Sequence, residues 1–176
     1  MIDITLANFE SDLIQASLQQ PVLLDIWAEW CGPCKALGPV LEQLETEYAG
    51  RFLLAKVNAD EQQEITSQLS QMFGVRSIPF CVMFVGGQPV DGFVGALPAE
   101  KIREFLDKHV PGEGEIVSEL ETLEAEQLAE SGDTETALAK LEDALAKDPG
   151  NDEARYDLIK LLLAEGALED AQAIFA

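Results

Sequence analysis

Eleven residues, Asp25-Ile-Trp-Ala-Glu-Trp-Cys31-Gly-Pro-Cys34-Lys35, restrict what this chain can become more than any other stretch. The apolar run Pro21 to Trp27 leads into them and a helical pattern, Cys34 to Tyr48, leads out, so two cysteines three apart sit where a strand hands over to a helix. Such a pair can be half of a zinc site, but zinc takes four ligands. The remaining cysteine and the single histidine, Cys81 and His109, fall in unrelated segments. The spacing therefore reads as a redox dithiol. That chemistry calls for no metal and no cofactor, because the two sulfurs carry the electrons.

Placement suggests roles. At a helix entrance, unpaired backbone N–H groups and the positive end of the helix dipole stabilise a thiolate, so the Cys31 pKa should fall. Cys31 would attack a substrate disulfide, and Cys34, one helical turn on, would displace the reduced product; Gly32 and Pro33 form the turn between them. Asp25 lies within the apolar run Val22 to Trp27, where burial would raise its pKa and fit it to accept the Cys34 proton. Lys56, in Leu54-Ala55-Lys56-Val57, is a second charge inside an apolar strand and is expected as its partner across the sheet. The competing reading puts each charge on an edge strand, facing water.

Around this motif short apolar or β-branched runs alternate with helical patterns. Strands are expected at Pro21 to Trp27, Phe52 to Val57, Phe80 to Val85 and Val90 to Val94, with a weaker one at Asp3 to Leu6. Helices are expected at Phe9 to Leu18, Cys34 to Tyr48, Glu61 to Phe73 and Ala99 to His109. Gly86-Gly87-Gln88 marks a hairpin turn, and Pro39 should kink the helix that holds Cys34. The order β-α-β-α-β-α-β-β-α makes an α/β domain, a mixed central sheet flanked by helices. Cys81 reads as a buried core residue and His109 as a complement to a helix C-terminus.

Residues 1–110 carry 15 acidic and 7 basic side chains, and residues 111–176 carry 18 and 4. The seam is Pro111-Gly-Glu-Gly-Glu115, which stops a helix and gives a flexible joint. We expect a first domain over 1–110, a linker over 111–116 and an all-α segment over 117–176. In that segment Leu128, Gly132, Glu135, Ala137 and Ala139 recur 34 residues later as Leu162, Gly166, Glu169, Ala171 and Ala173, the period of tetratricopeptide repeats (TPR). A generic acidic helical hairpin is the competing reading. The second repeat stops about ten residues short of that period. The segment is thus expected to be incomplete, with Leu161, Leu168, Ile174 and Phe175 partly uncovered and a tendency to self-associate through the open end.

The net charge of −22 argues against nucleic acid and anionic membranes, since duplex binding depends on basic side chains displacing counterions. The longest apolar run, Ile78 to Val85, holds eight residues, against about 20 for a membrane span. No basic region precedes an apolar stretch at the N-terminus, so a cytoplasmic protein is expected. Three cysteines are too few for a disulfide-stapled secreted scaffold.

The run Trp27 to Lys35, the Ile78-Pro79 dipeptide and Val94-Gly95-Ala96-Leu97 together resemble thioredoxin over nearly all of residues 1–110. The resemblance implies a thioredoxin fold and protein-disulfide reductase activity. It also implies that Pro79 is a cis-proline facing the dithiol, and that Trp30, Ile78, Pro79, Val94, Gly95 and Ala96 form an apolar rim for extended substrates. It gives Cys31, Cys34, Asp25 and Lys56 the roles described above. With acidic TPR helices behind it and Gly87-Gln-Pro-Val-Asp-Gly-Phe93 in the last hairpin, the whole chain resembles the bacterial chaperedoxin (YbbN-type) co-chaperones. That family is implied to hold unfolding clients, guard their cysteines and pass them to a GroEL-type chaperonin. Some members have lost the first active-site cysteine, which is kept here; some carry a client-binding cysteine after the third strand, where Ala59 stands.

The expectation is thus a thiol-disulfide oxidoreductase with a client-holding segment. Its partners would be disulfide-containing or unfolded proteins, thioredoxin reductase and a chaperonin. A non-catalytic adaptor using the fold to dock peptides, or an ordinary thioredoxin with an inert tail, are the alternatives.

Overall fold

The computed structural model describes residues 1–175, and the chain divides into two compact units, Met1–Val110 and Pro111–Ala176. Ala176, the end of the expected helical segment, lies outside the described residues. No helix among the described residues is long and apolar enough to cross a membrane.

The first unit contains β1 (Ile2–Asp3), a π-type helix (Phe9–Gln15), β2 (Val22–Trp27), α1 (Gly32–Glu47), β3 (Leu53–Asn58), α2 (Gln63–Phe73), β4 (Phe80–Val85), β5 (Gln88–Val94) and α3 (Ala99–Asp107). The strands form one sheet in the order β1-β3-β2-β4-β5. β1, β3 and β2 run parallel, and β4 and β5 are antiparallel to their neighbours. The sheet is therefore mixed. β2 is central and buried on both faces, so it is apolar along nearly its whole length rather than alternating with polar residues. Its period-two geometry sends Leu23 into a core with Leu37, Leu41 and Leu44 of α1 and Ile102 and Leu106 of α3. Val22, Leu24 and Ile26 enter the opposite core with Ile65 and Leu69 of α2 and Leu13 of the π-type helix.

β2 differs from the sequence expectation by one residue at one end and β3 by one at each end, and β1 and β5 differ by more. The first strand is Ile2–Asp3 rather than Asp3 to Leu6, because the Asn8 side chain accepts the Thr5 N–H at 2.7 Å and turns the chain off the sheet. β5 begins at Gln88 and includes Pro89; it is an edge strand, where a missing N–H is tolerated. His109 lies just beyond the end of α3, where its N–H bonds to Leu106 O and its Nε2 is 2.8 Å from Asp91 Oδ2 on β5.

Among the described residues the second unit has four helices, α4 (Glu113–Glu130), α5 (Thr134–Lys147), α6 (Asp152–Ala164) and α7 (Leu168–Phe175). The expected linker over 111–116 is corrected here, since helix already begins at Glu113. Gly112 is its N-cap, with the Glu115 carboxylate accepting the Gly112 N–H at 3.3 Å. Gly114 is a packing glycine rather than a flexible one, because a Cβ there would sit 2.9 Å from the Lys147 carbonyl oxygen.

The 34-residue period appears as matching helix ends. Gly132 and Gly166 both take positive φ, 92° and 79°. The following N–H of Asp133 bonds to Leu128 O and that of Ala167 to Leu162 O, each at 2.9 Å, which is the Schellman closure. Ala137 and Ala171, one period apart, are both buried where the helices meet. A buried polar network ties the unit together: Asn151 Nδ2 donates to Ser118 Oγ at 2.9 Å and Thr122 Oγ1 at 3.2 Å, and Ser118 Oγ donates to Ala144 O at 2.8 Å. Asn151 also caps α6 through Ala154 N–H, a contact typically contributing about 1 kcal/mol.

Candidate active site

Cys31 is the N-cap of α1, with extended φ and ψ of −89° and 102°. Gly32 and Pro33 are the first helical residues, so they open the helix rather than form a separate turn. Gly32 has no positive φ and open space at its Cβ position, so nothing in the backbone demands glycine there. Pro33 has no N–H, which is tolerated in the first helical turn. The N–H of Cys34 points at Cys31 Sγ, 3.2 Å away. A sulfur at this position faces both a donor and the positive end of the helix dipole, the arrangement that stabilises a thiolate.

Cys31 and Cys34 are joined as a disulfide. Each is 4% exposed, so exposure does not tell the two apart; position on the helix does. Ala28 packs with the pair, and Trp27 and Ile78 lie against them. The Ile78–Pro79 bond is cis. Pro79 itself is buried, and its carbonyl accepts the N–H of Gly95 at 2.8 Å, which ties the end of β5 to the proline turn. Gly95 takes φ of 90°, a value that favours glycine. Val94 and Ala96 on either side of it are exposed.

Trp30 is 70% exposed. Its Nε1 donates to Asp60 Oδ2 at 2.9 Å, fixing the ring. A groove of about 530 Å³ is lined by Trp30, Ile78, Ala59, Ser67, Ser70 and Arg76, among others. Asp60 was not legible as a site residue, because its link to Trp30 spans a loop contact that no spacing announces.

Asp25 is 4% exposed on β2. Burial pushes its pKa from the ordinary 3.8 to about 6, opposed by a hydrogen bond from Cys81 and by the charge of Lys56. Lys56 is its register partner on β3, but the ammonium makes its ion pair with Asp3, at 3.5 Å, and lies 5.3 Å from the Trp27 ring centre. It acts on Asp25 through space. Asp25, Lys56, Trp27 and Cys34 line one cavity of about 170 Å³. The hydrogen-bonding neighbour of Asp25 is Cys81, whose Sγ donates to Oδ1 at 3.7 Å.

The sign of the Asp25 shift fixes a stability trend. Between about pH 4 and pH 6 the folded chain keeps a proton that the unfolded chain has released, so stability falls as pH rises through that window. Above it the cost is about 3 kcal/mol. Asp25→Asn should therefore be more stable than the wild type at pH 7.5 by up to about that amount, with the difference vanishing near pH 3.5. Urea unfolding of the oxidised proteins at both pH values measures it; an equal gain at both would contradict the buried-carboxylate account.

A mixed sheet carrying a dithiol at the head of its central-strand helix, beside a cis-proline and over a buried acid, defines the disulfide-exchanging α/β domains built on the thioredoxin fold. Residues 1–108 match the family model described as thioredoxin, and the chain belongs to the thioredoxin family. Residues 128–176 match a tetratricopeptide repeat model, in keeping with the paired helices of the second unit. Thioredoxin of Chlorobaculum thiosulfatiphilum is 44% identical over 103 residues, 58% of this chain and 90% of that protein. Thioredoxin of Haemophilus influenzae is 43% identical over 104 residues, 59% and 92%. Thioredoxin of Pseudomonas aeruginosa is 39% identical over 110 residues, 62% and 96%. With both cysteines present, the first unit is a thioredoxin-like protein-disulfide reductase.

Proposed function

We propose that this chain reduces disulfides in protein clients through Cys31 and Cys34, and that its TPR unit holds those clients or the chaperone that receives them, in the manner of YbbN-type chaperedoxins. In the exchange the Cys31 thiolate attacks one sulfur of the client disulfide, forming a mixed disulfide and releasing the other client sulfur as a thiolate. Cys34 then loses its proton to Asp25 and attacks Cys31 Sγ. The Cys31–Cys34 disulfide forms, the second client thiolate leaves, and two electrons have passed to the client. Lys56 favours the anionic form of Asp25. Trp30, Ile78, Pro79 and Val94 to Ala96 hold the client strand.

The observation that carries this reading is the shared cavity in which Asp25, Lys56 and Cys34 meet beneath a sulfur at a helix N-cap. The holding role is supported by apolar side chains that the second unit leaves exposed, Val117, Leu120 and Leu123 on α4 and Leu168 and Phe175 on α7, since uncovered apolar surface is what an unfolding client would bind. The proposed setting is the cytoplasm, with thioredoxin reductase regenerating the dithiol and a GroEL-type chaperonin as the receiving partner.

The test is insulin reduction coupled to NADPH through a bacterial thioredoxin reductase, with Trp30→Ala and Ile78→Ala beside the wild type. The wild type turns over, and each rim variant raises KM about tenfold with kcat nearly unchanged, because contact surface is lost and not charge. Turnover with dithiothreitol but not with the reductase would contradict the partner. A fall in kcat at constant KM would contradict the rim.

A further inference from the structure

Cys81 is the third cysteine, and the proposed exchange gives it no part. It is fully buried on β4 and lies directly opposite Asp25 across the antiparallel β2–β4 pair, so both side chains project to the same face of the sheet. Its thiol donates to Asp25 Oδ1 at 3.7 Å, within the reach of a sulfur donor. Leu23, Met83 and Leu106 belong to the same apolar cluster as Cys81. An aliphatic side chain there would keep the site apolar but would leave the carboxylate oxygen without this donor.

Resting on the reading of Asp25 as the base, we propose that Cys81 is a positioning residue for Asp25: its thiol fixes the carboxylate beside the cavity shared with Cys34 and favours the anion that accepts the proton. Burial and the neighbouring Asp25 charge push the Cys81 thiol well above its ordinary pKa, so it stays protonated and remains a donor. The other charged or titratable groups around Asp25 are known. Lys56 faces it from β3, with Asp3 of β1 beside that ammonium. Cys34, Lys35 and Glu42 of α1 and the N-terminal residue Met1 line the adjoining cavity. Of these, Lys56 favours the anion through space, and Cys81 does so by direct contact.

The experiment compares the full-length wild type with Cys81→Ala, Cys81→Val and Cys81→Ser, where Val fills the volume without a donor and Ser keeps a donor. The Asp25 carboxyl is titrated by ¹³C NMR in the oxidised protein, and resolution of a Cys31 mixed disulfide is timed from pH 5.5 to pH 8. The thiol is a weak donor, so its loss should raise the Asp25 midpoint by about half a unit to one unit, which slows resolution roughly two- to fivefold at pH 6 and little at pH 8. Ala and Val should behave alike, and Ser should match the wild type or titrate lower. Unchanged midpoints in Ala and Val, or equal shifts in Ser and Ala, would overturn the proposal, the second because it would reveal a packing effect. Asp25→Asn serves as the control. If it resolves at the wild-type rate while the midpoints shift as described, Asp25 is not the base and the Cys81 contact still stands.

Discussion

Cys31→Ser should reduce insulin turnover by about a thousandfold or more, to the uncatalysed background, whereas Cys34→Ser should retain the first attack and accumulate covalent adducts with client cysteines. The asymmetry follows from the helix N-cap. Cys31 Sγ receives the Cys34 N–H and the dipole of α1, so it is the sulfur stabilised as a thiolate, and losing a nucleophile removes the catalysed path altogether. Cys34 sits one turn inside the helix, away from the N-cap and beside the cavity that Asp25 lines. Non-reducing gels of both variants after incubation with oxidised client give the readout. Adducts of equal abundance on both variants would contradict the assignment of attacking and resolving sulfurs.

Deletion of residues 111–176 should leave insulin reduction within about twofold of the full chain while abolishing suppression of aggregation of a denaturing client. The first unit has its own cores on both faces of the sheet and a complete dithiol site. The exposed apolar residues invoked for holding belong to α4 and α7, so the two activities should separate cleanly. Light scattering of a thermally unfolding client, with and without the truncated chain, measures the effect. If the truncated chain suppresses aggregation as well as the full one, the second unit has no holding role.

The dithiol and the alternation of strands and helices were legible because each rests on local chemistry: two thiols at helix-entrance spacing, and apolar runs whose length and β-branching fit buried strands. Asp25 was legible as a charge inside such a run. The 34-residue recurrence marked Gly132 and Gly166 before their left-handed φ was seen. What could not be read depended on pairing between distant segments. Cys81 became a contact of Asp25 only through the antiparallel register of β2 and β4, which no single strand encodes. The ion pair of Lys56 with Asp3 depends on β1 lying beside β3. Gly114 looked like a flexible joint because glycine serves both flexibility and close packing, and only the approach of the Lys147 carbonyl tells which applies.

The central claim is that the Cys31/Cys34 couple donates electrons to clients. Equilibrating the full chain in glutathione buffers of defined ratio and trapping its thiols with a mass-tagged alkylating reagent gives the reduction potential directly. A thioredoxin-like reductase should lie near about −270 mV, whereas a value near about −120 mV would mark a disulfide donor and contradict the account.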